Sequence, residues 1–156
     1  MKGACILLAG VLAAALLSAT AVPALPAPLV VQGVGTGASA SGGTTCAGHP
    51  LVVQLVYLPG DEAVVSYEYA GTGDCPLRTG GGVAAGQVAY DAAGLPPVRY
   101  QASCRGTPAS GLACEGGGAT VVVSPYRGPG SQMTLLKRGG APPGNTGDFA
   151  GTFLAL

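Results

Sequence analysis

Tryptophan is absent from this 156-residue chain, which also contains only two phenylalanines and one histidine. One histidine, His49, leaves no histidine cluster for a metal site and restricts general-base chemistry to one position. Only seven basic and seven acidic side chains are present, so no basic patch exists for nucleic acid or an anionic membrane. From this composition we expect neither a metal nor an organic cofactor.

Motifs for catalysis are also missing. His49, Ser103 and Asp91 supply the residue types of a hydrolase triad, but no Gly-x-Ser-x-Gly segment surrounds the serine. The sequence Gly48-His49-Pro50 is typical of a turn before a strand, and we expect the His49 side chain to be exposed there. The sequence therefore predicts that the protein is not an enzyme and has no catalytic residues.

The one long apolar run of the chain stands at its start. Lys2 is followed by uncharged apolar residues from Ala4 to Leu17, and Ala19-Thr20-Ala21 places small residues at −3 and −1 of a cut before Val22. This pattern predicts a cleavable signal peptide at residues 1–21 and a secreted or periplasmic protein. An uncleaved anchor is the alternative, but a run of about 14 residues is shorter than the roughly 20 of a membrane span. We expect no membrane span after cleavage.

Cysteine usage agrees with export. Loss of Cys5 with the signal peptide leaves an even number of cysteines, which in an oxidising compartment predicts two disulfides. No CxxC pair is present to form half of a metal site. The favoured pairing is Cys46 with Cys75 and Cys104 with Cys114, because each closes a modest loop. Cys46 with Cys104 competes with it, and the sequence alone does not choose.

Composition divides the exported part into two regions. Residues 22–45 are rich in proline, glycine and serine, which predicts a flexible linker with one short strand at Leu29–Val34. Residues 46–156 form the remaining region, which is the size of one small domain. Glycines recur every few residues and disfavour long helices. The segment between Cys104 and Cys114 has the composition of a polar turn.

Period-two alternation of apolar residues predicts β-strands in the second region. Residues 51–58 place Leu51, Val53, Leu55 and Tyr57 on one face, and after Pro59-Gly60-Asp61 the alternation returns, so residues 51–70 are predicted to be a β-hairpin. Shorter candidates follow, each bounded by glycine or proline: Val83–Tyr90, Val98–Ala102, Thr120–Ser124, Met133–Arg138 and Phe149–Leu154. The predicted fold is all-β, a small disulfide-stabilised antiparallel barrel or sandwich of about seven or eight short strands.

Part of this pattern is similar to a known family. The segment Cys46-Ala-Gly-His-Pro-Leu-Val-Val-Gln-Leu, followed by the strand Val64–Tyr69, resembles the opening of the membrane-bound and periplasmic C-type lysozyme inhibitors. Members are small exported bacterial β-barrels in which a serine-glycine-x-x-tyrosine loop enters the lysozyme cleft. The nearest counterpart is Ala85-Gly86-Gln87-Val88-Ala89-Tyr90, with alanine in place of serine and one extra residue before the tyrosine. The resemblance covers about Cys46 to Cys104 and implies that Gly86 and Tyr90 contact a lysozyme.

These observations favour an exported protein-binding module whose partner is a protein such as lysozyme. Lys137-Arg138 is the one adjacent basic pair after the signal peptide and is predicted to be a solvated strand end that a small acidic partner could use. The alternative function is a structural or adhesive envelope protein that self-assembles through exposed β-strand edges. A carrier of a small apolar ligand inside a barrel is also compatible with the fold but has no residue signature.

Overall fold

The computed structural model describes residues 26–41, 44–71, 87–88, 98–140 and 147–156. Within these ranges all regular secondary structure is β, and no helix is long and apolar enough to cross a membrane. The strands are β1 (Leu29–Ser41), β2 (Thr44–Leu58), β3 (Glu62–Tyr69), β4 (Gln87–Val88), β5 (Val98–Thr107), β6 (Gly111–Gly116), β7 (Ala119–Val123), β8 (Gln132–Gly139) and β9 (Asp148–Ala155).

Eight of these strands close into an antiparallel barrel. Their order around the wall is β1, β2, β3, β5, β6, β7, β8 and β9, and β9 pairs with β1 to complete the circle. The short strand β4 pairs with residues Arg99 and Tyr100 of β5. The all-β prediction is confirmed, with a barrel as its form. Each of the eight strands has a neighbour on both sides for part of its length.

The predicted hairpin at residues 51–70 is confirmed as β2 and β3. Leu51, Val53, Leu55 and Tyr57 all face the barrel interior, as their alternation requires. Opposite them, Val65 and the tyrosines of β3 point into the same core. Tyr67, Tyr69, Tyr100 and Phe149 lie within ring-contact distance of one another in this core, with centroid separations of 4.3–6.4 Å in the pairs that touch. Side chains therefore occupy the described interior.

Strand β1 differs from the predicted linker with one short strand. It runs for 13 residues and pairs with β2 and β9 along most of its length. Its glycines at inward positions explain why the composition was misleading: a Cβ on Gly33 would overlap the ring of Phe153, and one on Gly37 would overlap the ring of Phe149. The glycines leave room for the two phenylalanine rings, so they are packing positions in a strand.

A hairpin also occupies the segment that was predicted as a polar turn. The strand β5 continues through Cys104 to Thr107, and β6 returns from Gly111, so the turn itself is only residues 108–110. Cys104 lies directly opposite Cys114 in this hairpin, and the predicted disulfide between them is confirmed. Cys46 is also disulfide-bonded, whereas its predicted partner Cys75 lies outside the described residues.

The later strand predictions are confirmed with small shifts. β5, β7, β8 and β9 cover the four candidates after residue 97. Of the candidate Val83–Tyr90 only Gln87–Val88 is described, and it is paired as β4. The predicted signal peptide, residues 1–21, lies outside the described residues.

Candidate functional site

A groove of about 710 Å³ runs over the outer surface of β3, β5, β6 and β7. Its floor is low because the outward side chains of β5, β6 and β7 are small at this point: Ser103, Ala113 and Thr120. Directly beneath the floor, the Cys104–Cys114 disulfide ties β5 to β6 on the inner side of the wall. The groove is thus built on a covalently fixed part of the sheet.

Apolar and charged side chains both line this groove. Leu58 and Val122 supply exposed apolar surface beside the half-buried Val64, and Glu62, Arg105 and Glu115 supply charge. Glu62 lies opposite Arg105 in the pairing of β3 with β5, but the one ion pair found among the described residues is elsewhere, between Arg99 Nε and Glu68 Oε2 at 2.7 Å. The three charged groups of the groove therefore remain available to groups of a partner.

A second, smaller hollow of about 340 Å³ continues along β3 and β5 toward β4. Gln54, Ser66 and Gln101 line it together with the Arg99–Glu68 ion pair. Because Arg99 and Tyr100 also pair with the backbone of Gln87 and Val88, the hollow lies next to the described part of the loop that resembles the inhibitor motif. Gly86 and Tyr90, the two predicted contact residues of that loop, lie outside the described residues.

Lys137 and Arg138, predicted as a solvated pair, face opposite sides of the barrel wall. Arg138 is exposed, but the prediction for Lys137 is wrong, since it is only 1% exposed. Alternation along β8 after Met133 and Leu135 points Lys137 inward, where its Nζ donates a hydrogen bond to the Gly147 carbonyl at 2.5 Å. Burial lowers the pKa of Lys137, and the nearby Asp148 carboxylate partly offsets this effect. The Lys137 ammonium is therefore a core group.

His49 is also buried, at 1% exposure, so the expected exposed turn residue is a core residue of β2. His49 stands two residues before Leu51, so it continues the alternation of β2 and its ring points inward. Nδ1 lies 2.9 Å from the Ala70 carbonyl, and since a carbonyl only accepts, Nδ1 carries the proton. Nε2 then accepts the hydrogen bond from Ser39 Oγ at 2.9 Å. His49 thereby joins β1, β2 and the residue after β3.

The structure does not assemble the hydrolase triad that the residue types allow. Ser103 lies on the outer surface of the barrel wall and His49 lies inside it, while Asp91 is outside the described residues. Among the described residues, moreover, no group of three or more His, Cys, Asp or Glu side chains could hold a metal ion.

Two tyrosine hydroxyls, those of Tyr57 and Tyr67, are buried and have no hydrogen-bond partner among the described residues. Burial raises the pKa of both phenols, and strongly so for Tyr67, where the neighbouring Tyr69 and Tyr100 add to the effect. Both groups are thus neutral core residues.

The groove could not be found from the sequence, because it depends on the sizes of side chains on four strands whose register only the structure gives. Comparison with known proteins adds no relative: no protein family, no curated protein and no solved structure matches this chain.

Proposed function

We propose that this protein is an exported protein-binding module that receives its partner on the outer surface formed by β3, β5, β6 and β7. The observation that carries this proposal is the groove of about 710 Å³ on that wall. The described core is filled by side chains, so binding takes place outside the barrel. Apolar patches beside charged groups that form no ion pair are typical of surfaces that recognise proteins.

Rigidity makes this surface suitable for binding. Every strand under the groove is paired on both sides, and the disulfide joins β5 to β6 immediately beneath it. A surface that is already ordered before binding loses little conformational entropy when a partner docks, so more of the contact energy appears as affinity.

The proposed partner is a lysozyme, on the basis of the sequence resemblance. In this proposal the loop containing Gly86 and Tyr90 enters the cleft of the enzyme and blocks the substrate. The pairing of Gln87 and Val88 with β5 supports it, because this pairing holds the middle of the loop against the barrel next to the hollow. The protein itself then carries out no chemistry and acts by occlusion.

Calorimetric titration of several lysozyme types with the purified exported chain tests the proposal. We expect one-to-one binding that Tyr90→Ala weakens at least tenfold, the effect of removing a central aromatic contact. Gln132→Ala, an exposed change on β8 at the far side of the barrel, is the matched control and should bind as the wild type does.

The groove is tested in the same titration by Arg105→Glu. Reversal of this charge should weaken binding if the partner covers the groove. Absence of heat with every lysozyme type would remove lysozyme as the partner, and wild-type affinity of Arg105→Glu would remove the groove from the contact.

A further inference from the structure

Charge is distributed unevenly around the barrel. Within the described strands, the exposed charged residues of β3, β5 and β6 are Glu62, Glu68, Arg99, Arg105 and Glu115. On the opposite half, β1 and β2 contain no Asp, Glu, Lys or Arg, and β8 and β9 expose only Arg138 and Asp148 at one end. We call the outward residues of β2, β1, β9 and β8 the neutral face.

Exposed large apolar side chains concentrate on the same half. Val34 lies directly opposite both Val52 and Leu154, and the three are 47%, 52% and 48% exposed, so they form one apolar row across three strands. Further exposed apolar residues lie on these strands or directly after β9: Leu29, Val30, Leu58, Leu136 and Leu156. An apolar row of this kind on an otherwise polar surface marks an interaction site.

Uncharged polar rows flank the apolar row. Gln32 lies opposite Gln54 on one side of it, and Thr36 lies opposite Thr152 on the other. A hydrocarbon phase would leave these amides and hydroxyls without hydrogen-bond partners, whereas a protein surface can supply them. Depletion of charge with apolar residues at the centre is also the composition of a protein interface core. The face is therefore suited to a protein and not to lipid.

We propose that the neutral face binds a second copy of this chain in a two-fold dimer. In such a contact each patch meets the same patch of the other copy, so a charged face would bring like charges together. The neutral face avoids this repulsion, and its amides and hydroxyls can form hydrogen bonds across the contact. The groove lies mainly on the other half of the barrel, although Leu58 borders both surfaces, and Val52 and Gln54 of the neutral face also line the smaller hollow.

The area of the face is sufficient for a weak dimer. Four strands about 4.8 Å apart, over the roughly 27 Å from Val30 to Ala38, present on the order of 500 Å². A contact that used the whole face of both copies would bury about 1,000 Å² in total, which is at the lower limit for a specific interface, so we expect a weak dimer with a dissociation constant in the micromolar range. The dimer leaves both grooves on its outer sides, so it would be bivalent.

Sedimentation equilibrium of the full chain, expressed with its own N-terminal segment and purified after export, tests this proposal. At about 200 µM, far above a micromolar dissociation constant, we expect the wild type to be mainly dimeric. Val34→Lys should raise the dissociation constant at least tenfold, since the dimer would bury two unpaired ammonium groups. Ala109→Lys, in the exposed turn between β5 and β6, introduces the same charge as a control and should leave the dimer intact.

Leu154→Lys, at the position opposite Val34, serves as a second variant if Val34→Lys does not fold by circular dichroism. A wild type that remains monomeric at about 200 µM overturns the proposal, and so does a folded Val34→Lys or Leu154→Lys that dimerises with wild-type affinity. Flotation of a monomeric wild type with uncharged phosphatidylcholine vesicles would assign the face to lipid and would equally overturn it. None of these outcomes depends on lysozyme.

Discussion

The disulfide between Cys104 and Cys114 should contribute a large share of the stability of the barrel. The two cysteines are 10 residues apart in sequence and pair directly across β5 and β6. In the chain-entropy description, closing a loop of this length stabilises the folded state by about 2.7 kcal/mol at 25 °C. Both cysteines are buried, and loss of their sulfur atoms leaves space in the core that adds about 1–2 kcal/mol.

The double substitution Cys104→Ala with Cys114→Ala should therefore lower the free energy of unfolding by about 3–5 kcal/mol, a large part of the usual total for a small domain. The melting temperature should fall by roughly 9–15 °C. Urea denaturation followed by circular dichroism measures the effect. Substitution is preferable to a reductant, because a reductant would also open the disulfide of Cys46.

Ser103→Ala, an exposed change next to Cys104, is the control and should alter the free energy of unfolding by no more than about 0.5 kcal/mol. A double variant within about 1 kcal/mol of the wild type would refute the reasoning. In that case the short hairpin alone would already restrict the unfolded chain as much as the bond does.

Three further changes test the packing of the core. Gly37→Ala should lower the free energy of unfolding, measured by urea denaturation, by about 1–3 kcal/mol because the new Cβ would overlap a phenylalanine ring. A loss no greater than that caused by the exposed change Thr36→Ala would contradict this. His49→Leu should lower the free energy of unfolding by about 1–3 kcal/mol because it leaves the Ala70 carbonyl without its donor. An unchanged melting temperature would argue against a stabilising role for this hydrogen bond. Burial lowers the pKa of Lys137 in the folded protein. Between that lowered pKa and about 10.4, the unfolded chain therefore binds more protons than the folded chain does. The wild type should accordingly gain stability relative to Lys137→Met as the pH rises across this window. If the urea midpoints of the wild type and Lys137→Met differed by the same amount at pH 7 and at pH 10, the result would contradict the burial of a charged group at Lys137.

Local patterning predicted much of this fold. Alternation at Leu51, Val53, Leu55 and Tyr57 identified both the strand and its buried face, because a hairpin with one face in the core repeats every two residues. The same regularity located most of the strands after residue 97. The pairing of Cys104 with Cys114 was predictable because it closes a short loop.

Long-range packing explains what patterning missed. Composition predicted a linker where β1 lies, because the reason for Gly33 and Gly37 is a pair of phenylalanines more than 110 positions later in the chain. His49 was expected in an exposed turn because Gly48 and Pro50 flank it, although its place two residues before Leu51 in the alternation of β2 points inward. Lys137 was assigned to the surface from its charge, although its place in the alternation of β8 points inward.

Neither the groove nor the neutral face could be predicted from the sequence. Ser103, Ala113 and Thr120 become one groove floor only when β5, β6 and β7 stand side by side. Val34, Val52 and Leu154 form one row only through the pairing of the first and last strands of the barrel. Both surfaces are thus properties of the closed barrel and of its register.

The proposed occlusion of a lysozyme is measured most directly by titrating lysozyme activity on cell walls with purified residues 22–156. We expect lysozyme activity to fall linearly with added protein and to be abolished at one equivalent of barrel chains, whereas Tyr90→Ala should require a large excess for the same effect. Full lysozyme activity in the presence of excess protein, for every lysozyme type tried, would contradict the claim.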